Sequence, residues 1–199
     1  MSDWNHEKEY KQPSQVAFNP GKPPPVQEKQ QEPQVRLSVP YPQPVFICPN
    51  LHCAQTLEKA YVGEAGEFSA VTLYFYQSVL FQPHNPQAAR ILHEISIVEM
   101  SHLKMLASSI LAVGGRPVLG LSHGKERIWW SGGQLPYNGS LRVALIRDIR
   151  AEQQAIRLYN HILSMPECEE VHPLICRIIM DEEHHIELLN DLLKDCCKM

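Results

Sequence analysis

The chain has 199 residues, a formal net charge of −4 and a hydrophobic fraction of 44%, which suits one domain with an ordinary core. The mild negative charge, without a broad basic surface, excludes nucleic acid as an expected partner. No window offers about 18 uncharged apolar residues and no apolar signal-peptide core follows Met1, so we expect no membrane partner and a cytoplasmic location.

Residues 1–50 differ from the rest of the chain in composition, because they hold most of its 16 prolines among many Gln, Lys and Glu residues. Such a segment cannot bury enough apolar area to offset its ordering entropy. We therefore predict an extended or disordered Pro/Gln-rich tail at 1–50 and a folded domain at 51–199. The tail can be an inert solvated extension, or an arm that docks on another subunit through the apolar stretch from Val39 to Phe46.

Four segments with helical periodicity fill the predicted domain. The first runs from about His52 to Phe81, the second from Pro86 to Val113, the third ends near Leu163 and the fourth includes Leu174 to Leu193. Asn85 can cap the second helix, since Pro86 suits its first position. The region 114–138 lacks the pattern, and its 25 residues suit a crossover along the bundle. We predict an all-α four-helix bundle with a long crossover between the second and third helices.

Two helices carry a Glu-x-x-His motif on an apolar face. On the fourth helix, one face holds Ile178, Glu182, His185, Leu189 and Leu192. On the second, one face holds Leu92, Ile95, Glu99, His102 and Leu106. An unpaired carboxylate inside a core costs several kcal/mol, so each glutamate needs a partner, and a metal ion is the one we expect.

A second repeated pattern precedes each motif. Glu67-x-x-Ala70-x-x-x-Tyr74 begins 32 residues before Glu99, and the same pattern from Glu152 to Tyr159 begins 30 residues before Glu182. The chain thus consists of two copies of a helical hairpin. Four Glu and two His are the set with which a four-helix bundle holds two metal ions. The predicted ligands are Glu67, Glu99, His102, Glu152, Glu182 and His185, and a purely structural polar core is the alternative.

Tyr74 and Tyr159 lie two turns beyond Glu67 and Glu152 on the same faces. A phenol there can hydrogen-bond a ligating carboxylate and fix its orientation, so we name both as candidate catalytic residues. Ordinary core packing with a satisfied hydroxyl is the alternative. Other acidic residues are not predicted as ligands, because they fall off the inner faces or at their rims: Glu64, Glu94, Asp181 and Glu183.

These four patterns resemble the ferritin-like superfamily, in its bacterioferritin, rubrerythrin and manganese-catalase-like group. The resemblance covers about residues 52–195 and implies a di-iron or di-manganese carboxylate centre. It implies bridging roles for Glu99 and Glu182, and terminal roles for Glu67 and Glu152. One histidine, His102 or His185, would bind each metal ion.

Departures from individual members narrow the activity that the resemblance implies. Rubrerythrins add a domain with Cys-x-x-Cys pairs, which this chain lacks, and bacterioferritins carry a fifth helix, whereas this chain ends at Met199. Met100 resembles the haem-ligating methionine of bacterioferritins. We interpret it as a core methionine and expect no haem.

Three function classes follow from the resemblance. The first is a redox enzyme that consumes hydrogen peroxide or dioxygen with two iron or manganese ions, with or without an external electron donor. The second is a ferroxidase or iron-storage protein, and the third a spore-coat-like protein that retains a metal site. We favour the enzyme as a homo-oligomer, preferably a dimer, and expect residues 1–45 to be dispensable for folding and metal binding.

Overall fold

Five helices make up most of this computed structural model, which describes residues 34–44, 48–137 and 139–196. In chain order they are α1 (Leu51–Val62), α2 (Glu67–Phe81), α3 (Pro86–Ala112), α4 (Leu141–Leu163) and α5 (His172–Asp195). Helix α2 packs along α3, and α4 packs along α5. The all-α bundle predicted from the sequence is confirmed, with one change in its first helix.

The predicted first helix is two helices, because the chain turns sharply at residues 63–66. A Cβ atom on Gly63 would lie 2.4 Å from the Lys59 carbonyl oxygen, and one on Gly66 would lie 2.7 Å from the Gly63 nitrogen. The Ser69 hydroxyl donates to the Gly63 carbonyl at 3.0 Å and holds the turn closed. The prediction of one continuous helix from His52 to Phe81 was therefore wrong, and Glu67 lies in the first turn of α2.

Helix α3 begins where the sequence predicts, since the Asn85 side chain accepts a hydrogen bond from the Ala88 backbone nitrogen at 3.0 Å. It is the one helix among the described residues that is long and apolar enough by composition to cross a membrane, with a mean hydropathy of 1.3. Its inner face carries the buried Glu99 and His102. The inner face of α3 thus belongs to the core of the bundle.

The crossover between α3 and α4 contains an antiparallel hairpin that the sequence analysis did not predict. Strand β1 (Gly120–His123) pairs with β2 (Glu126–Trp129) around a turn at Gly124, whose φ is +61°. The buried Glu58 of α1 accepts from the Ser122 nitrogen at 2.9 Å and from Arg127 Nη1 at 3.2 Å. These two bonds fix the hairpin to α1.

The apolar core has two clusters at different levels of the bundle. One joins α1 to the C-terminal half of α3 and the start of α5, with Leu57, Leu106, Ile110, Ile175 and Ile178 among its members. The other joins α2 and the start of α4 to the N-terminal half of α3 and the end of α5, with Tyr74, Leu92, Ile95, Leu145 and Leu189 among its members. Along α3 and α5, the Glu-x-x-His motifs lie between the two.

Residues 34–44, here called the N-terminal segment, lie against α5 of their own chain. Arg177 donates to the Val39 carbonyl at 2.8 Å and to the Leu37 carbonyl at 2.9 Å. This differs from the expected inert extension and from the expected arm on another subunit. Residues 1–33 and 45–47 lie outside the described residues, so the tail predicted there stays a prediction.

Candidate metal centre

Six buried side chains from four helices meet between the two apolar clusters. Each is at most 3% exposed to solvent. Helices α2 and α4 contribute one glutamate each, and α3 and α5 contribute a Glu-x-x-His motif each. The structure thus brings together all six predicted ligands, here called the carboxylate–histidine cluster: Glu67, Glu99, His102, Glu152, Glu182 and His185.

The cluster divides into two overlapping groups, one around each histidine, and the candidate ligand atoms within each group lie within 4.8 Å of one another. His102 Nδ1 lies 2.9 Å from Glu99 Oε2 and 3.3 Å from Glu182 Oε1. His185 Nδ1 lies 3.0 Å from Glu99 Oε1 and 3.1 Å from Glu182 Oε2. Glu99 and Glu182 therefore turn one oxygen towards each histidine, and both groups share them. Glu67 belongs to the His102 group alone, and Glu152 to the His185 group alone.

The two predicted tyrosines contact the cluster from opposite halves of the repeat. Tyr159 on α4 donates its hydroxyl proton to Glu67 on α2, and Tyr74 on α2 donates to Glu152 on α4. The shared helix face in the sequence did not show that each phenol reaches the glutamate of the other copy. The exchange links the two hairpins across the core.

Burial and like charge shift the pKa values of the unshared glutamates. Burial raises the pKa of Glu67 and Glu152 well above the usual carboxyl range, and the charges of Glu99 and Glu182 raise it further. Burial also acts to raise the pKa of Glu99, but His185 and His102 outweigh it and hold that pKa below its usual range. The carboxylates thus need positive charge beside them, which divalent cations supply as well as imidazolium does.

The donor set fits two metal ions. Glu99 Oε1 and Glu182 Oε1 are buried and make no hydrogen bond within the part of the chain that the structure describes, although each lies within 3.3 Å of a histidine nitrogen. Such buried oxygens require a partner. Carboxylate and imidazole bind iron and manganese alike, and four carboxylates neutralise two divalent cations, so the filled cluster would carry no formal net charge.

Sequence reasoning missed Asp181, which it placed off the inner face of its helix. Asp181 is fully buried. Its Oδ2 lies 3.1 Å from His102 Nε2, and its Oδ1 lies 2.8 Å from Arg177 Nη1. Arg177 and Asp181 are four residues apart, a spacing that a solvated helix surface also uses. Tyr41, which the sequence analysis also missed, donates its hydroxyl proton to Asp181 Oδ2 at 2.5 Å.

A cavity of about 230 Å³ adjoins the cluster, and Glu67, Glu152 and Glu182 form part of its lining. Asp148, one turn before Glu152, lies in the same lining and is 1% exposed. Burial raises the pKa of Asp148 to about 7, against the opposing effect of its hydrogen bond from Gln77. Asp148 Oδ2 makes no hydrogen bond to any described residue. The cavity is large enough for a small substrate beside the three carboxylates.

Met100 is 50% exposed, so its interpretation as a core methionine was wrong. Its neighbour on α3, Ile97, is 46% exposed, and Phe75 and Val79 on α2 are 58% and 62% exposed. Helices α2 and α3 thus leave large apolar side chains on their outer surface, which is unusual where no partner covers them.

The family model described as the ferritin-like domain matches residues 65–199. The chain belongs to the ferritin-like domain family. This confirms the superfamily predicted from the paired motifs. The match covers α2 to α5, so it includes every helix that contributes to the carboxylate–histidine cluster.

Solved structures show the same fold for this ferritin-like protein. A crystal structure of KatB, a manganese catalase from Anabaena PCC7120, has a TM-score of 0.70 and 24% identity, over 81% of this chain and 80% of that chain. A structure of wild-type KatB from Anabaena has a TM-score of 0.66 and 22% identity, over the same shares. No curated protein sequence matches the chain.

Proposed function

We propose that this ferritin-like protein is a two-metal oxidoreductase that consumes hydrogen peroxide. The observation that supports this most strongly is the pair of overlapping ligand groups that share Glu99 and Glu182. A pair of redox-active ions bound there would exchange two electrons with one substrate molecule. The reaction of two hydrogen peroxide molecules to two waters and one dioxygen balances without another reactant.

The ligand assignment in this proposal follows the two groups. Glu67 and His102 would hold one ion, and Glu152 and His185 would hold the other. Glu99 and Glu182 would contribute ligand atoms to both ions, because each turns one oxygen towards each histidine. The resemblance found in the sequence implies the same roles.

The remaining residues orient the ligands and admit the substrate. The Tyr159 and Tyr74 hydroxyls hold Glu67 and Glu152 in one orientation each. The two apolar clusters keep water from the carboxylate–histidine cluster at the neighbouring levels of the bundle. The substrate would therefore reach the metal centre through the 230 Å³ cavity. Asp148 Oδ2 can hold a proton there near neutral pH and hydrogen-bond to a peroxide in the cavity.

We propose manganese as the metal. Manganese and iron accept the same carboxylate and imidazole ligands, so the donor set does not choose between them. Both structural neighbours bear the name manganese catalase, which supports manganese and a peroxide substrate. An external electron donor remains an alternative to disproportionation.

The test is to load metal-free protein with Mn²⁺ or Fe²⁺ and to measure peroxide consumption and dioxygen release with and without a reductant. We expect dioxygen release without a reductant in the manganese form. Glu182→Gln should abolish it, whereas Glu183→Gln should retain it, because Glu183 is the exposed neighbour of Glu182. Iron accumulation in a closed shell with negligible peroxide turnover would instead identify a storage protein. A full metal site without turnover would favour the coat protein.

We further propose that the protein is a homodimer that covers the exposed apolar side chains of α2 and α3. Phe75, Val79, Ile97 and Met100 support this, since each exposes 46% or more of its surface in the single chain. Light scattering should give twice the chain mass, and Ile97→Lys should give the chain mass alone. A monomeric wild type would contradict the dimer without affecting the metal proposal.

A further inference from the structure

The N-terminal segment reaches the carboxylate–histidine cluster through α5. Arg177 holds the Leu37 and Val39 carbonyls, and the Leu37 nitrogen donates to Asp181 Oδ1 at 3.2 Å. His184 Nε2 lies 2.7 Å from the Gln34 carbonyl oxygen. A cavity of about 1000 Å³ is lined by the segment and by residues of α3. Directional polar bonds to α5 therefore hold the segment in place.

Tyr41 is the residue of this segment that comes closest to the cluster. Its hydroxyl donates to Asp181 Oδ2 at 2.5 Å and lies 3.2 Å from His102 Nε2. Its ring meets the His102 ring edge to face, with centroids 5.8 Å apart. The guanidinium groups of Arg36 and Arg177 lie 4.6 and 4.5 Å from the ring centroid, so the ring is held as well as the hydroxyl.

The two histidines differ on the side that faces away from the carboxylates. A histidine that binds metal through Nδ1 carries its proton on Nε2, and the acceptor of that proton fixes the ring and raises the basicity of the ligand. For His102 this acceptor is Asp181 Oδ2, at 3.1 Å. His185 Nε2 is buried and has no hydrogen-bond partner among the described residues.

We propose that the N-terminal segment is part of the metal centre: Tyr41 is a positioning residue that acts through Asp181 on His102. Asp181 shares its two oxygens among His102, Tyr41, Arg177 and the Leu37 nitrogen. The contacts with Tyr41, Arg177 and the Leu37 nitrogen fix the orientation of the Asp181 carboxylate. The contact with His102 Nε2 then fixes the orientation of the His102 ring. The His102 position consequently binds its ion more tightly than the His185 position.

This inference rests on the proposed two-metal function and reverses the expectation that residues 1–45 are dispensable for metal binding. In this proposal the contacts between the N-terminal segment and α5 orient a metal ligand, whereas a solvated tail would not need such contacts. Tyr41→Phe should leave the bundle folded, because it removes only the hydroxyl, which contacts Asp181 and His102, and keeps the ring that packs against the first apolar cluster.

The experiment titrates the metal-free full chain with Mn²⁺ against a competing chelator, and follows bound Mn²⁺ by electron paramagnetic resonance. Tyr41→Phe should weaken binding of the ion at the His102 position about 10- to 100-fold and change the spectrum of that ion, as loss of a hydrogen-bond partner behind a metal ligand does. The other ion should keep its affinity. Asp181→Asn should weaken the same ion at least as strongly.

Tyr61→Phe is the matched control, since Tyr61 is also a largely buried tyrosine and donates to the Pro117 carbonyl at 3.3 Å. It should leave both affinities and the spectrum unchanged. Circular dichroism should show the same helicity in all variants. Two ions with wild-type affinities and spectra in Tyr41→Phe, or equal weakening of both ions, would overturn this inference alone. A wild type that binds neither ion would overturn it together with the proposed function.

Discussion

The α2–α3 hairpin and the α4–α5 hairpin supply the cluster with the same residues but differ outside it. Each provides a lone glutamate, a Glu-x-x-His motif and a tyrosine that reaches the other hairpin. The two hairpins differ on the far side of the histidines, because His102 Nε2 faces Asp181, whereas His185 Nε2 has no partner in the described part of the chain. A sequence repeat therefore establishes equal inner contacts, whereas unrepeated residues decide how the two positions differ.

The largest losses of bound metal should come from substitutions of Glu99 or Glu182, because both ligand groups contain these two glutamates. Glu99→Gln should remove both ions, because each ligand group contains Glu99. Glu152→Gln should remove only the ion beside His185. Elemental analysis of reconstituted variants measures this difference, and loss of a single ion from Glu99→Gln would contradict the shared role.

The exchanged tyrosines test whether the halves are equal inside the cluster. Tyr159→Phe and Tyr74→Phe each remove the donor to one unshared glutamate. Tyr159→Phe should weaken binding of the ion beside His102 about 10- to 100-fold, and Tyr74→Phe should weaken binding of the ion beside His185 to a similar extent. Chelator competition with Mn²⁺ provides the measurement, with Tyr61→Phe as control. Weakening of the same ion by both variants would break the comparison.

A substitution in the lining of the 230 Å³ cavity tests how the substrate reaches the metal centre without altering a metal ligand. Ala151 lines the cavity, while Gln153 is exposed on α4 and does not. Ala151→Leu should keep two ions but reduce peroxide turnover about tenfold, which corresponds to about 1.4 kcal/mol in the barrier. Gln153→Leu should retain both the two bound ions and the wild-type peroxide turnover. Full turnover in Ala151→Leu at normal metal content would show that substrate arrives by another path.

The smallest expected effect concerns a second departure from the repeat, since Asp148 lies four residues before Glu152 where Gly63 lies four before Glu67. Burial raises the pKa of Asp148 to about 7 in the folded protein, above about 3.9 in the unfolded chain. The folded state therefore binds the proton more tightly, and this contribution to stability is lost as pH rises from about 4 to about 7.

Asp148→Asn should remove that part of the pH dependence. Its melting temperature should exceed that of the wild type by a few degrees at pH 8 and differ less at pH 4. Thermal unfolding of the metal-free proteins followed by circular dichroism measures the difference. Parallel curves for wild type and Asp148→Asn across this range would show that Asp148 is ionised in the folded protein.

Helix periodicity was sufficient to predict α3, α4 and α5 and the six cluster residues, because polar residues on an apolar face stand out against their neighbours. It failed at Gly63 and Gly66, since a helix tolerates single glycines and only the close backbone approach at 2.4 Å reveals the turn. The short β1–β2 hairpin carries too few residues for a periodic signal.

The outer contacts of His102 could not be predicted for a different reason. Asp181 is adjacent to the inner face, and its spacing from Arg177 is that of an ordinary helix ion pair. Tyr41 is separated from Asp181 by 140 residues and belongs to a proline-rich stretch whose composition favours a solvated chain. Only the tertiary structure brings these residues together.

Anomalous diffraction at the manganese edge, on crystals of the manganese-loaded protein, tests the central claim most directly. The account predicts two peaks per chain, one beside His102 Nδ1 and one beside His185 Nδ1, with Glu99 and Glu182 bound to both. A single peak, or peaks that leave Glu99 and Glu182 without metal, would contradict it.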